Sequence, residues 1–179
     1  MGRVVSADEL EAVVAAERAA GRTVALANGC FDLLHVGHVR YLAGAAREAD
    51  RLVVAVNDDD SVRALKGDGR PLNPEEERAE LIAALAMVDY VVLFSGPTVA
   101  PVIERIRPDV HCKGTDYTAA TVPERDVVAA SGGRTAIVGD AKDHSTRDLL
   151  DRIRAAAASL DAARPAAGAA GQGAVGDPE

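Results

Sequence analysis

An apolar run, Val24-Ala25-Leu26-Ala27, passes into Asn28-Gly29-Cys30-Phe31-Asp32, and a helical pattern begins a few residues later. Val39, Leu42, Ala43 and Ala46 recur at i, i+3, i+4 and i+7, so one face of that helix is apolar. The order strand, glycine turn, helix start constrains the fold more than any other feature of the chain. It sets a helix N-terminus, with unpaired amides and the positive end of its dipole, beside a strand end, and phosphate is the natural ligand there. His35 and His38 stand at this junction, three residues apart, and each can donate a hydrogen bond to a phosphoryl oxygen, more strongly when protonated. Gly37 has no side chain and lets a phosphate approach the backbone. A single capped histidine is the plainer reading, but Gly29, Phe31, Asp32, His35, Gly37 and His38 together, in this context, point to phosphate chemistry.

Strand and helix signals alternate along the chain. Ser6-Ala7-Asp8-Glu9 is a capping box that opens a helix over Ser6–Ala20, ending at Gly21. The strand before the signature runs to about Asn28, and its helix covers Val36–Ala49. Leu52–Val56 and Tyr90–Phe94 are the next strands, and Val110–Lys113 and Thr135–Val138 complete a set of five. Asn73 caps a helix with Pro74 at its first position and Glu75, Glu76 and Glu77 in its first turn. Val99, Val102, Ile103 and Ile106 form a helical stripe stopped by Pro108, and Pro123–Ser131 is a helix ending at Gly132-Gly133. Ser145-Thr146-Arg147-Asp148 caps a last helix whose Leu149, Ile153, Ala156 and Leu160 share a face. Such alternation implies an α/β fold, a parallel five-stranded sheet with right-handed crossovers and helices on both faces. Ligands in such sheets bind outside the carboxyl ends of the strands, where every motif found here falls.

At 179 residues the chain suits one domain. The expected folded part is 1–160, and Asp161–Glu179, rich in Ala, Gly and Pro without apolar period, reads as a disordered tail. No apolar run is long enough to span a membrane and no secretion signal opens the chain, so it reads as cytoplasmic. Cys30 and Cys112 are too few for a disulfide framework and suit reduced packing residues. The net charge of −8 argues against a nucleic-acid binder and requires a local positive pocket for any phosphate ligand. Lys66, Arg70, Arg78 and Lys113 are the candidates for that pocket.

The segment Gly29–His38 resembles the Gly-x-Phe-Asp-x-x-His-x-Gly-His signature of the cytidylyltransferase-like nucleotidylyltransferases, Rossmann-like enzymes that move a nucleoside monophosphate onto a phosphorylated acceptor. Leu65–Pro74, Lys113-Gly114-Thr115-Asp116-Tyr117 and Ser145-Thr146 resemble one branch, the D-glycero-beta-D-manno-heptose 1-phosphate adenylyltransferases, over roughly Val5 to Arg154. The resemblance implies transfer of AMP from ATP to a sugar 1-phosphate, with magnesium carried on the triphosphate, in a homodimer. Glycerol 3-phosphate with CTP is the alternative acceptor and nucleotide. A catalytically silent nucleotide-binding module is a third possibility, against which the intact histidine pair argues. A class I tRNA synthetase fragment is excluded by length and by the lack of a Lys-Met-Ser-Lys-Ser-like loop. With no kinase domain in the sequence, a separate enzyme is expected to supply the sugar phosphate.

The roles follow. His35, His38 and Lys66 are the expected catalytic groups, with Lys66 and Arg70 binding the acceptor. Gly29, Cys30, Phe31, Asp32 and Gly37 form the nucleotide turn, Asp32 either orienting it or touching the water shell of the metal. Arg78 shares a helical face with Leu81, Ile82 and Leu85, so a charge sits on a face that should be buried; its partner is either the triphosphate or a structural carboxylate. The resemblance places Lys113, Gly114 and Asp116 near ribose and base, and gives Ser145 and Thr146 phosphate contacts. No residue is expected as a direct metal ligand.

Overall fold

The computed structural model describes residues 1–140 and 144–163, with side chains as far as residue 160. The chain divides into a unit Met1–Thr146 and a second that begins at Arg147. The last helix, α7, runs over Thr146–Ala163, so the tail expected from Asp161 begins three residues inside a helix. Alanine at 162 and 163, the best helix former, extends it. The remainder of that expected tail, 164–179, lies outside the described residues.

The first unit holds six strands, β1 (Arg3–Val4), β2 (Val24–Gly29), β3 (Arg51–Asn57), β4 (Tyr90–Phe94), β5 (Val110–Lys113) and β6 (Arg134–Ile137). Their order is β1-β4-β3-β2-β5-β6 and every pairing is parallel. The expected sheet of five thus gains β1, whose two residues are too few to show any periodicity. Gly2 makes this edge possible: a Cβ there would lie 2.7 Å from the Val88 carbonyl oxygen.

The helices of this unit are α1 (Ala7–Ala19), α2 (Val36–Ala45), α3 (Asp59–Lys66), α4 (Glu75–Ala83), α5 (Ala100–Ile106) and α6 (Arg125–Ala130). The Ser6–Glu9 capping box forms at both of its bonds, Ser6 N to Glu9 Oε2 at 2.8 Å and Glu9 N to Ser6 Oγ at 3.3 Å. Helix α2 stops four residues before the expected Ala49, because Arg47 and Glu48 bond to carbonyls three residues back and tighten the chain out of the helix. Pro74, rather than Asn73, takes the cap position of α4. Helix α3 was not expected: its sequence is mostly polar, and Asp58 starts it by accepting the Ser61 amide at 2.8 Å.

Alternate strand residues face opposite layers, as the two-residue period requires. Leu52, Val54 and Val56 of β3 join Leu42 and Ala45 of α2 and Ala79, Ile82 and Ala83 of α4. Val53 and Ala55 join Leu10 and Val14 of α1, Ile103 and Ile106 of α5 and Val128 of α6. Strand order reverses on either side of β2 and β5, so the crevice between their carboxyl ends is the switch point where such sheets bind ligands.

Candidate active site

The signature follows β2 directly at this crevice. Phe31 is buried and holds a positive φ of 48°, a left-handed conformation that turns the chain sharply from strand toward helix. Its ring meets His38 edge-on at 5.2 Å between centroids and stacks on Tyr41 at 6.5 Å. Gly29 leaves room for that ring, since a Cβ there would come within 3.2 Å of it. His35 caps α2, and its ring stacks on His38 at 3.8 Å. Gly37 has a second use beside admitting phosphate: a Cβ there would lie 3.0 Å from the His35 ring and 3.4 Å from His144 Cβ. Glycine lets the two histidines fold together over the helix start.

Burial, the neighbouring His35 and the Lys66 charge push the His38 pKa down to about 4. At neutral pH its imidazole is neutral, so it can donate only as an N–H and not as the imidazolium, the stronger donor. Its Nδ1 is buried without a hydrogen-bond partner among the described residues, so Nε2 is the nitrogen that can meet a ligand.

Asp32 is buried, and its Oδ1 accepts the Leu72 amide at 2.6 Å and the Asn73 amide at 3.1 Å. Its Oδ2 lies 3.0 Å from Arg70 Nη1. Asp32 therefore ties the signature turn to the 70–73 loop. Arg78 has no accessible surface. Its guanidinium donates to Asn73 O at 3.0 Å, Cys30 O at 2.6 Å and Asp59 Oδ1 at 2.7 Å. The structural carboxylate is its partner, and the buried Arg78 clamps two loops to the start of α3. Sequence could not show this, because Asp59 belongs to the unexpected α3. Burial pushes the half-buried Cys30 thiol up.

Lys66 is exposed as the last residue of α3, not in the loop where sequence put it, and Gly67 with φ 90° ends the helix behind it. Its charge reaches both His38 and Cys30. On the other wall Lys113 ends β5, with Gly114 half-buried and Asp116 exposed beyond it. Thr115 Oγ1 donates to Asp140 O at 2.8 Å, linking this loop to the chain after β6. Ser145 and Thr146, both half-buried, stand at the start of α7. Sequence reasoning passed over Asn28, Tyr41 and Glu124. Tyr41 Oη donates to Cys112 O at 2.7 Å and accepts from the Asn28 backbone N–H at 3.3 Å, joining α2 to both strands of the crevice. The available signal was strand alternation, which puts the polar pair His111 and Lys113 on one face.

The cytidylyltransferase-like family model matches residues 26–158, from inside β2 into α7. The chain belongs to the cytidylyltransferase-like family of nucleotidylyltransferases. Membership agrees with the switch-point position of the signature and with the fold. Bifunctional protein HldE of Alkalilimnicola ehrlichii is 48% identical over 153 residues, covering 86% of this chain and 32% of the relative. Bifunctional protein HldE of Syntrophotalea carbinolica is 47% identical over 146 residues, covering 82% and 30%. The chain thus spans about a third of the length of the curated relatives it matches. Among solved structures, the lipopolysaccharide core biosynthesis protein of Thermoplasma volcanium superposes with a TM-score of 0.60 at 26% identity, covering 68% of this chain and all of that one.

Proposed function

We propose that this chain transfers AMP from ATP to a sugar 1-phosphate, D-glycero-beta-D-manno-heptose 1-phosphate, releasing pyrophosphate and forming ADP-heptose. The observation that carries the reading is the stacked His35–His38 pair at the start of α2, on the switch point of a parallel sheet. The adenylyl and heptose assignments draw support from the similarity to HldE proteins over 82–86% of the chain.

In this reading an oxygen of the acceptor phosphate forms a bond to the α-phosphorus while the bond to the bridging oxygen breaks, and pyrophosphate leaves with that electron pair. A phosphate monoester has a second pKa of about 6, so the acceptor is already an anionic nucleophile at neutral pH and needs no general base. The chain then has to position the two anions and stabilise the phosphoryl charge. His38 supplies a neutral N–H to the α-phosphoryl oxygens, and His35 and the amides of the helix start hold the triphosphate. Lys66 and Arg70 hold the acceptor phosphate, Arg70 being aimed by Asp32. Asp116, Ser145 and Thr146 contact the nucleotide from the far wall. Magnesium binds mainly through phosphate oxygens with few protein ligands, and among the described residues no group of three or more His, Cys, Asp or Glu gathers as a metal cage. When bound with the triphosphate it neutralises phosphate charge.

We further propose a homodimer in the cytoplasm; among the described residues no helix is long and apolar enough to cross a membrane. Light scattering that finds a monomer at micromolar concentration refutes the dimer. The function is tested by nucleoside triphosphates crossed with heptose, hexose and polyol phosphates, scored by pyrophosphate release. ATP with heptose 1-phosphate is expected to turn over fastest; a clear preference for CTP with glycerol 3-phosphate overturns the assignment.

A further inference from the structure

A second polar cluster is buried at the carboxyl end of the sheet, outside the groups assigned above to the acceptor and the α-phosphate. It joins Asn28 of β2, His111 and Lys113 of β5, and Glu124, the residue before α6. The register sets Leu26 opposite His111, so Asn28, two residues further along β2, shares the face of His111 and Lys113. Lys113 Nζ donates to Asn28 Oδ1 at 3.2 Å and lies 3.4 Å from Glu124 Oε2. His111 Nε2 lies 3.1 Å from the same Asn28 oxygen. Lys113 also sits 5.1 Å from the centroid of the Tyr117 ring. His111, Lys113 and Glu124 are 0%, 8% and 5% exposed. A buried Lys–Glu pair loses about as much in desolvation as it gains in attraction, so stability alone does not account for it.

The cluster settles which way the Asn28 amide faces. An ammonium group has donors and no acceptor, so the amide atom it meets is the oxygen. Burial and the Lys113 charge hold the His111 pKa well below its ordinary value, so His111 is neutral and its Nε2–H donates to that same oxygen. With Oδ1 held by both, the planar amide carries its two N–H donors on its other side. Asn28 is half-buried and stands immediately before Gly29 and the signature turn.

We propose that Asn28 is a nucleotide-binding residue whose amide, locked by Lys113, presents N–H donors to an anionic oxygen of the bound nucleotide. Glu124 is the positioning residue that holds Lys113 in place for this. Lys113 therefore acts on the nucleotide through Asn28 and not by touching phosphate. The inference rests on the reading above only in taking the ligand to be a nucleotide.

Asn28→Asp separates binding from architecture. The carboxylate keeps the shape of the amide and accepts from Lys113 and His111, so a purely structural Asn28 tolerates it. It has no donor, and it turns a negative oxygen toward the ligand. The dissociation constant for MgATP, measured calorimetrically without acceptor, is expected to rise by roughly tenfold or more, the scale of a lost hydrogen bond to a charged group. In Asn28→Asp/Glu124→Gln the single carboxylate moves from one side of Lys113 to the other. Charge stays balanced, the thermal transition is expected to remain, and MgATP affinity is expected to stay lost. Wild-type affinity in either variant overturns the binding role. Glu124→Gln alone should weaken MgATP binding less, with partial recovery in Glu124→Asp. A lowered thermal midpoint with an unchanged dissociation constant overturns the positioning role. Because MgATP alone is the probe, a mistaken acceptor leaves the result intact, whereas a wild-type chain that fails to bind MgATP overturns this inference and the proposed function together.

Discussion

The two ends of the same parallel sheet are built on opposite principles. At the amino ends of the strands, carboxylates seize backbone amides: Asp109 takes Val24 N at 2.7 Å, Asp89 takes Leu52 N at 2.8 Å, and Asp50 takes Thr23 N at 2.9 Å. Glu17, buried on α1, accepts the Tyr90 hydroxyl at 2.6 Å and pairs with Arg22 and Arg51. The Tyr90 hydroxyl, with the two guanidinium groups, holds the Glu17 carboxyl below its ordinary range. At the carboxyl ends, His38 Nδ1 and His111 Nδ1 are buried without a hydrogen-bond partner among the described residues. Phe31 holds a left-handed backbone there, at a cost of about 1–2 kcal/mol. Satisfied polar groups lock one end; backbone strain and unsatisfied polarity mark the other, as is common at functional sites.

Arg78 is the lock within the carboxyl end, so its loss is expected to have the largest effect on stability. Arg78→Ala leaves Asp59 and two loop carbonyls without their donor, and should cost roughly 3–5 kcal/mol, lowering the thermal midpoint by about 10 °C. A variant that keeps its midpoint but loses ATP affinity would instead make Arg78 a phosphate ligand. At the amino end, Glu17→Ala should cost about 2 kcal/mol by stripping the Tyr90 hydroxyl and two arginines of their acceptor. Turnover of the folded fraction should be unchanged, and a matching fall in kcat would erase the distinction between the ends.

Acid should loosen the two ends in sequence. His38 and His111 have folded pKa values below the unfolded value of about 6.5, so as pH falls the unfolded chain takes up protons first. Their contribution is complete above about pH 6.5 and fades below it, by up to about 1.4 kcal/mol per pH unit for each histidine. For His38 the loss ends near pH 4. Glu17, with a depressed carboxyl, keeps its full contribution until pH falls into the ordinary carboxylate range and loses it as pH drops from there through its lowered folded value. Thermal midpoints measured from pH 7.5 to pH 4 should decline before the carboxylates titrate, and a flat profile down to about pH 4.5 would contradict this.

The legible parts of the molecule were those written in one local stretch. Gly29–His38 carries its strand, turn and helix start in sequence, and the structure brings His35 and His38 into contact as that order implies. The central strands are continuous apolar runs and stood out for that reason. What escaped was held by distant partners. Helix α3 depends on the Asp58 cap and on burying Val62, too little apolar surface to set a period. Strand β1 exists because β4 lies beside it. The buried face of Arg78 was visible from its spacing, but its partner sits 19 residues away in that unforeseen helix. Glu124 showed no sign at all, since its meaning comes from Lys113 across the β5–α6 loop.

The central claim is that the carboxyl end of this sheet stabilises a phosphoryl transition state, and His38 tests it most directly. kcat and the thermal midpoint should be measured on one sample of His38→Ala, with ATP and heptose 1-phosphate. kcat is expected to fall by roughly 10²–10³, the scale of removing one transition-state donor, with a much smaller change in KM for ATP and a midpoint close to that of the parent. Near-normal turnover in a destabilised protein would make His38 a packing residue and contradict the account.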